Sequence, residues 1–438
     1  MMISSIIFIA LLAASAFLFA KNVRTVVRNI KLGKPLNRSD RKGERFMLMA
    51  KVALGQSKMV VRPVAGLLHI VVYVGFIIIN IEMLEIVLDG ILGTHRLFSS
   101  LDSLYFFLIA SFEILALLVL VACVVFLIRR NVLRLKRFSG VEMTAWPKSD
   151  ANYILITEIL LMSAFILMNA ADTALQNAGA EHYPVVGTFP VSGLLVDSMG
   201  SNISSLIALE RGLWWFHIVG IFVFLNYLPY SKHFHILLAF PNVFYSKLEP
   251  KGQFENMEAV KKEVELMFNP DADPYAAPAE PQGEPSRFGA KDVTDLTWKQ
   301  LMDSYTCTEC GRCTSVCPAN ITGKLLSPRK IMMDTRDRLV EVGKGIDKNG
   351  KDFNDGKSLI RDYISEEEIL ACTSCNACTE ACPVNNDPLS VIVDLRRYLI
   401  MEESKAPSEW TGIFTNIENN GAPWQFAQAD RLNWKNEE

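Results

Sequence analysis

Eight of the chain's nine cysteines form two copies of one motif, Cys-x2-Cys-x2-Cys-x3-Cys-Pro. In iron–sulfur proteins with this spacing, the first three thiolates of a copy bind one [4Fe–4S] cluster and the fourth binds the other cluster. The motif therefore predicts two clusters with crossed ligands. The first cluster would be bound by Cys307, Cys310, Cys313 and Cys382, and the second by Cys372, Cys375, Cys378 and Cys317.

Zinc and disulfides are the alternative uses of so many cysteines. Structural zinc sites take their cysteines in pairs, so they need neither a third cysteine at the same interval nor the proline that follows the fourth. Structural disulfides require an oxidising compartment, which the membrane topology described below excludes. The ninth residue, Cys123, lies inside an apolar run, and we expect it to be a packing residue.

The elements that must position these cysteines fall into two halves of different composition. Half of the residues are hydrophobic while the net charge is only −3, and the long apolar runs all lie before about residue 245. A span needs roughly 20 residues to cross about 30 Å of hydrocarbon. Five runs are long enough, at approximately 3–20, 64–88, 104–128, 153–171 and 206–230. Residues 1–245 are therefore predicted to form a bundle of five transmembrane helices.

The charges beside the spans predict the orientation. Twelve Lys or Arg residues lie between spans one and two, and six lie between spans three and four, whereas the other two loops contain a single basic residue, Arg96. By the positive-inside rule the N-terminus is outside, and the basic loops and the C-terminal half are cytoplasmic. Basic residues follow the first apolar run and none precedes it, which indicates a retained span and not a cleaved signal peptide.

The second half has the composition of a soluble protein. Residues 247–262 are charged and predicted to be helical, and a stretch with five prolines follows them, so residues 246–291 are interpreted as a helix and a semi-extended linker. Residues 292–400 should form the cluster domain, which we expect to be α-helical because residues 328–341 and 366–371 have helical spacing. No nucleotide-binding loop and no Ser/His/Asp set occurs, so no catalytic residue is predicted.

Histidines within the apolar spans indicate a second type of cofactor. Of the six histidines, His69 and His217 lie inside spans two and five, and His233 and His235 lie just past span five. Placing an imidazole in lipid costs free energy, so a histidine inside a span is by default expected to have a function. The alternative is a structural histidine that bonds a backbone carbonyl of a neighbouring helix. In a chain with clusters, we interpret these residues as axial ligands of a b-type haem.

Depth in the membrane limits which histidines can pair. His69 is about 10 Å along its helix from Arg62 at the cytoplasmic end, and His235 lies beyond the same end of span five. His217 precedes His235 by about 27 Å if the helix is continuous, which is close to the thickness of the membrane. Depth favours His235 as the partner of His69, without excluding His217, and His233 is two residues away from His235.

Glutamates supply the remaining ionisable groups inside the spans. Glu82 and Glu85 in span two are the best candidates for a proton path or a quinone pocket, whereas Glu113 and Glu158 are expected to have structural roles.

Each half of the chain resembles a known family. The first half is similar to the haem b membrane subunit of respiratory nitrate reductase (its gamma subunit) and of heterodisulfide reductase-like complexes, in residues 68–70, 217–220 and 229–235. The resemblance implies that His69 and His235 bind the inner haem and that His217 binds an outer haem. The family's partner histidine for that outer haem is replaced here by Ile79, so either His217 has another partner, such as His95, or one haem is present.

The second half resembles the dicluster subunit of heterodisulfide reductase and the front part of membrane-bound iron–sulfur oxidoreductases that deliver electrons to menaquinone. Residues 416–434 resemble the segment that precedes a pair of cysteine-rich CCG domains in those longer proteins. Aromatic residues are dense in residues 401–438, and we expect this tail to dock a partner.

The predicted fold is thus all-α, a five-span transmembrane bundle of the haem b type followed by a cytoplasmic α-helical dicluster ferredoxin domain. The predicted role is a subunit in a bacterial or archaeal cytoplasmic membrane that passes electrons between a cytoplasmic partner and the menaquinone or quinone pool. The resemblance implies a CCG-domain iron–sulfur subunit as that partner, with electrons from electron-transfer flavoprotein, or a thiol–disulfide reductase; no nucleic-acid partner is expected. The alternative hypothesis is a membrane-anchored redox sensor or scaffold.

Overall fold

The computed structural model describes residues 2–269 and 287–436, and within them it contains no β-strand. Two isolated bridges, Lys34 with Thr297 and Ile360 with Ile364, are the only β-pairings in these described ranges. The prediction of an all-α chain is confirmed. The prolines of the predicted linker, Pro270, Pro274, Pro278, Pro281 and Pro285, lie outside the described residues.

Seven helices form the first half of the chain: α1 (Met2–Ile30), α2 (Lys42–Met49), α3 (Pro63–Leu92), α4 (Ser103–Leu127), α5 (Ala145–Asn177), α6 (Ile203–Tyr227) and α7 (His235–Phe244). Five segments are long and apolar enough to cross a membrane, namely Ile3–Ile30, Pro63–Leu92, Ser103–Val132, Ala145–Asn177 and Ile203–Tyr230. Among the described residues these are the segments found, and each contains one of the five predicted spans. α5 packs against α4 and α6, and α1 packs against α3 and α6.

Local signals in the sequence set the ends of these helices. Pro63 occupies the first turn of α3, where its missing N–H costs nothing. Gly93 ends α3 with a φ of 72° and donates its N–H to the carbonyl of Asp89. Asn202 caps α6 by accepting a hydrogen bond from the Ser205 amide at 3.0 Å. Cys123 is buried in the bundle core, as expected of a packing residue.

The second half contains α8 (Glu258–Phe268), α9 (Trp298–Thr306), α10 (Arg312–Ser315), α11 (Pro318–Ile321), α12 (Pro328–Asn349), α13 (Leu359–Asp362), α14 (Glu366–Leu370), α15 (Ala377–Ala381), α16 (Pro388–Arg397) and α17 (Ser408–Asn420). The prediction of a helix over residues 247–262 was wrong at its start, because α8 begins only at Glu258. Pro250 cannot continue a helix and Gly252 adopts a φ of 111°, so the chain turns there.

The two halves share one hydrophobic core. Val26 and Ile30 of α1 and Leu228 and Phe234 after α6 belong to the same buried cluster as the interior of the second half, including Leu301. Polar contacts join the halves as well: the Asn29 amide donates to the Tyr305 hydroxyl at 2.8 Å and Arg28 pairs with Asp347 at 2.6 Å. The cysteine-bearing half therefore packs directly onto the ends of the membrane helices.

Candidate metal centres

Each three-cysteine loop has the same backbone shape. In the first loop Glu309 and Gly311 have left-handed φ angles of 53° and 71°, and in the second Ser374 and Asn376 have 57° and 59°. A Cβ on Gly311 would lie 2.9 Å from the backbone carbonyl of Arg137, and the φ of this residue is left-handed, so glycine is favoured there. Asn376 takes the equivalent position because asparagine tolerates the left-handed region better than most residues. The two loops therefore share left-handed backbone at the same two positions.

The fourth cysteine of each motif lies near thiols of the other motif. Burial raises the pKa of Cys382 to about 12, and the neighbouring thiols of Cys310 and Cys307, from the other motif, add to the rise. Burial likewise raises the pKa of Cys317, with contributions from Cys372 and Cys375 of the second motif. Each fourth cysteine therefore lies beside the other motif's triplet, which is the arrangement that crossed ligation needs. A buried thiol with a raised pKa gives up its proton when a metal takes its place.

Cysteine thiols are the donors that iron–sulfur clusters use. All nine cysteines are free of disulfides. In the described parts of the chain, no three His, Cys, Asp or Glu side chains lie close enough together to hold one metal ion, whereas a cube needs only one thiol at each of its four iron corners. Backbone amides already point at two of the sulfurs, from Asn386 to Cys382 at 3.3 Å and from Ser374 to Cys372 at 3.4 Å. The residues present thus fit two [4Fe–4S] clusters.

Two of the predicted haem ligands lie close to each other. The ring centres of His69 and His235 are 6.5 Å apart. With metal–nitrogen bonds of about 2 Å on both sides of one iron and about 1.1 Å from each nitrogen to its ring centre, two axial imidazoles would stand about 6 Å apart. Nδ1 of His235 bonds the Lys232 carbonyl at 3.0 Å, and Nδ1 of His69 is buried without a partner. The spacing of the two rings is therefore compatible with a haem that His69 and His235 would hold between them.

The other histidines have different surroundings. His233 lies 5.6 Å from His235 and 5.5 Å from Phe224, ring centre to ring centre. His217 is buried, and its Nδ1 bonds the Leu161 carbonyl at 3.1 Å. His95 does not reach His217; its contacts are with Tyr183, Arg211 and Asp172. In the described residues, no histidine ring contacts that of His217.

Glu82 and Glu85 belong to a buried polar network near the predicted outer ends of the helices. Arg96 folds back into the bundle, where it pairs with Asp172 at 2.7 Å and with Glu82 at 3.1 Å. Glu85 accepts hydrogen bonds from the Phe98 amide at 2.7 Å and from the Tyr105 hydroxyl at 2.8 Å. The second oxygen of Glu82 is buried with no partner. The two glutamates therefore differ: both carboxylate oxygens of Glu85 accept hydrogen bonds, whereas one oxygen of Glu82 has no partner.

Sequence reasoning did not identify the rest of this network. Arg96 was counted only as the lone basic residue of the outer loops, yet its side chain is 6% exposed. Asn169 joins it by accepting from the Arg96 guanidinium at 2.8 Å. Glu113, expected to be structural, accepts from the amides of Val191 and Ser192 and so holds the outer loop against α4. A single arginine among loops otherwise free of positive charge was the signal that could have drawn attention to the site.

Comparison with known proteins matches both halves of the chain. A model of the 4Fe-4S dicluster domain matches residues 306–386. A Bacillus subtilis protein named "Probable iron-sulfur-binding oxidoreductase FadF" is 29% identical, over 99% of this chain and 61% of its own length. The EtfAB:quinone oxidoreductase of Syntrophomonas wolfei is 26% identical, over 98% of this chain and 59% of its own. A "Probable membrane-anchored ferredoxin" of Chromohalobacter salexigens is 32% identical, over 34% of this chain and 24% of its own length.

The chain spans about 60% of the length of the first two relatives. No solved structure matches it. The resemblance to membrane-bound iron–sulfur oxidoreductases is confirmed by these relatives together with the dicluster domain. The chain is therefore a relative of iron–sulfur oxidoreductases that carries a 4Fe-4S dicluster domain beside five helices able to span a membrane.

Proposed function

We propose that this protein is a membrane electron-transfer subunit that connects a cytoplasmic redox partner with the quinone pool. Two [4Fe–4S] clusters and one haem b would supply its one-electron carriers. The observation that carries the proposal is one shared core that includes Cys307 and Cys317, from the two different sets, and Phe234, the neighbour of His235, whose ring centre lies 6.5 Å from that of His69. A relative named as a quinone oxidoreductase supports menaquinone or another quinone as the membrane substrate.

The proposed orientation puts the cysteine-bearing half in the cytoplasm. Basic residues of the two positively charged loops contact this half: Arg62 donates to the Ser315 hydroxyl at 2.7 Å, and the Arg137 carbonyl accepts from Arg329. The clusters thus lie on the side that carries the positive charges, which the positive-inside rule assigns to the cytoplasm.

Glu82 is the proposed proton-handling group of the membrane half. It is buried inside the bundle, and one of its carboxylate oxygens has no hydrogen-bond partner. Quinone reduction and quinol oxidation both exchange protons, so a carboxylate with a free oxygen can accept or release one. Arg96 orients the other oxygen. Glu85, whose two oxygens are both bonded, would hold the loop after α3 in place.

The C-terminal tail is the proposed docking segment for the partner. α17 has no buried residue, and Trp424, Phe426 and Trp434 are 42%, 68% and 71% exposed. Exposed aromatic residues at this density are typical of interface centres. We propose a CCG-domain iron–sulfur subunit as the partner. The relative named as an EtfAB:quinone oxidoreductase makes electron-transfer flavoprotein the candidate electron source.

The test starts from the purified full chain. We expect about eight acid-labile sulfides and about nine irons per chain, and the visible spectrum of a low-spin b-type haem. Anaerobic mixing with menaquinol should then reduce the haem within the time of one turnover. Stoichiometric zinc with little sulfide would refute the cluster assignment. A haem that menaquinol does not reduce would favour a redox sensor or scaffold.

A further inference from the structure

The contacts between the two halves select one cysteine set as the neighbour of the histidine pair. We infer that the set Cys307, Cys310, Cys313 and Cys382 is the haem-side set, and that Lys232 and Glu309 are positioning residues that connect it to His235. The inference rests on the proposed function, because it concerns the order of the carriers that the proposal assigns.

The helix that begins at His235 packs on the crossed cysteine of this set. Ala239, Cys382 and Val384 form one buried apolar cluster. Ala239 follows His235 by four residues, about 6 Å along the helix axis. One turn later, the Asn242 amide donates to the Val384 carbonyl at 2.9 Å and to the Asn386 side chain at 2.8 Å. Cys382 is thereby held about one helical turn from a haem ligand.

A buried ion pair makes the second connection. The Lys232 ammonium pairs with the Glu309 carboxylate, and the two side chains are 9% and 2% exposed. Glu309 lies in the loop between Cys307 and Cys310, and Arg336 also binds it at 2.7 Å. The carbonyl of the same Lys232 bonds Nδ1 of His235. One residue therefore links the cysteine loop to the orientation of the histidine ring.

The chain just before His69 contacts the same set. The Lys58 ammonium donates to the Cys382 carbonyl at 3.1 Å, and Arg312, between Cys310 and Cys313, donates to the Lys58 carbonyl at 2.7 Å. Gly66, three residues before His69, lies so close to this segment that a Cβ would stand 2.5 Å from the Met59 carbonyl. Both histidine-bearing elements thus pack against the first set.

The hydrogen bonds made at Cys372 and beside Cys378 stay within the second half of the chain. The Cys372 carbonyl accepts from Arg396 at 2.7 Å, and Thr379, next to Cys378, donates to Asp387 at 2.9 Å. Cys375 is exposed. These positions make the second set the outer one, nearer to solvent and farther from the histidines.

Charge-changing variants test the link without touching a ligand. Glu309→Gln removes the negative charge that pairs with Lys232, the residue whose carbonyl bonds His235. We therefore expect the haem midpoint potential to rise. Lys232→Gln removes a positive charge and leaves Glu309 with one cation fewer. The haem midpoint potential should therefore fall. Glu341→Gln is the matched control: this carboxylate pairs with Lys357 on the surface of α12, and its loss should leave the midpoint unchanged. Optical redox titration of the haem band, with iron and sulfide measured on the same samples, gives the readout.

Opposite shifts at wild-type iron and sulfide content support the inference, because loosened packing alone has no reason to reverse sign between the two variants. Unchanged midpoints in both variants would overturn it. Cluster removal gives a second measurement: Cys310→Ala should shift the haem midpoint and Cys375→Ala should not, and the reverse pattern would overturn the order. A wild-type protein that has clusters but no haem would instead refute the proposed function.

Discussion

Replacing Arg96 by methionine should destabilise the membrane bundle strongly. The Arg96 guanidinium is 6% exposed and lies between Asp172 and Glu82, which are 1% and 2% exposed. Arg96→Met leaves two buried carboxylates without their cation, and breaking a buried pair in this way costs about 3–5 kcal/mol. The methionine fills most of the volume, so the loss of charge dominates.

The shift in melting temperature follows from the length of the chain. At about 2.1 cal/mol/K per residue, the 438 residues give an unfolding entropy of about 0.9 kcal/mol/K if they unfold as one unit. A loss of about 3–5 kcal/mol then lowers the Tm by about 3–5 °C. Thermal unfolding in detergent micelles, followed by tryptophan fluorescence, measures it.

Two further variants show whether burial is the cause. Arg361→Met removes a more exposed arginine, paired with Glu403, from the second half of the chain, and should lower the Tm by no more than about 1 °C. The double variant Arg96→Met/Asp172→Asn removes one of the two stranded charges and should recover part of the loss. The reasoning is refuted if Arg96→Met melts no lower than Arg361→Met, or if the double variant is less stable than the single one.

Three other predictions concern the carriers and the tail. His69→Ala and His235→Ala should each abolish the low-spin haem spectrum, whereas His233→Ala should keep it. If His233→Ala loses the haem and His235→Ala keeps it, the ligand is His233 and not His235. Glu82→Gln should slow menaquinol-dependent haem reduction without changing haem content, because the amide cannot exchange the proton, and an unchanged rate would exclude this role. A chain truncated after Glu403 should still insert and still contain its iron, sulfide and haem, but should no longer copurify with its cytoplasmic partner; retained copurification would contradict tail docking.

Patterns that act over short distances in the chain could be predicted from the sequence. The five spans were found because hydrocarbon thickness fixes their length, and Pro63 and Gly93 bound α3 where helix-end chemistry requires. Depth in the membrane favoured His235 as the partner of His69 without excluding His217, and the ring centres of His69 and His235 lie 6.5 Å apart. The helix expected from residue 247 failed locally, because Pro250 and Gly252 outweigh the charged pattern around them.

Contacts between distant parts of the chain could not be predicted in the same way. Arg96 lies four residues after the end of α3, in left-handed backbone with a φ of 57°. Its partners Asn169 and Asp172 lie on another helix, α5. The Lys232–Glu309 pair joins residues separated by 77 positions. Nothing in spacing or hydropathy indicates which cations and carboxylates meet across such separations.

The shared core of the two halves has a consequence for how electrons can move. A ferredoxin that diffuses carries electrons by collision, so its rate depends on concentration, viscosity and ionic strength. Here Val26 and Leu301 belong to one buried cluster, so the cysteine-bearing half cannot leave the membrane helices without exposing that core. Transfer inside the chain would then be a first-order process over fixed distances. It should keep the same rate when the protein is diluted or when glycerol thickens the medium, and only the encounter with the external partner should slow down.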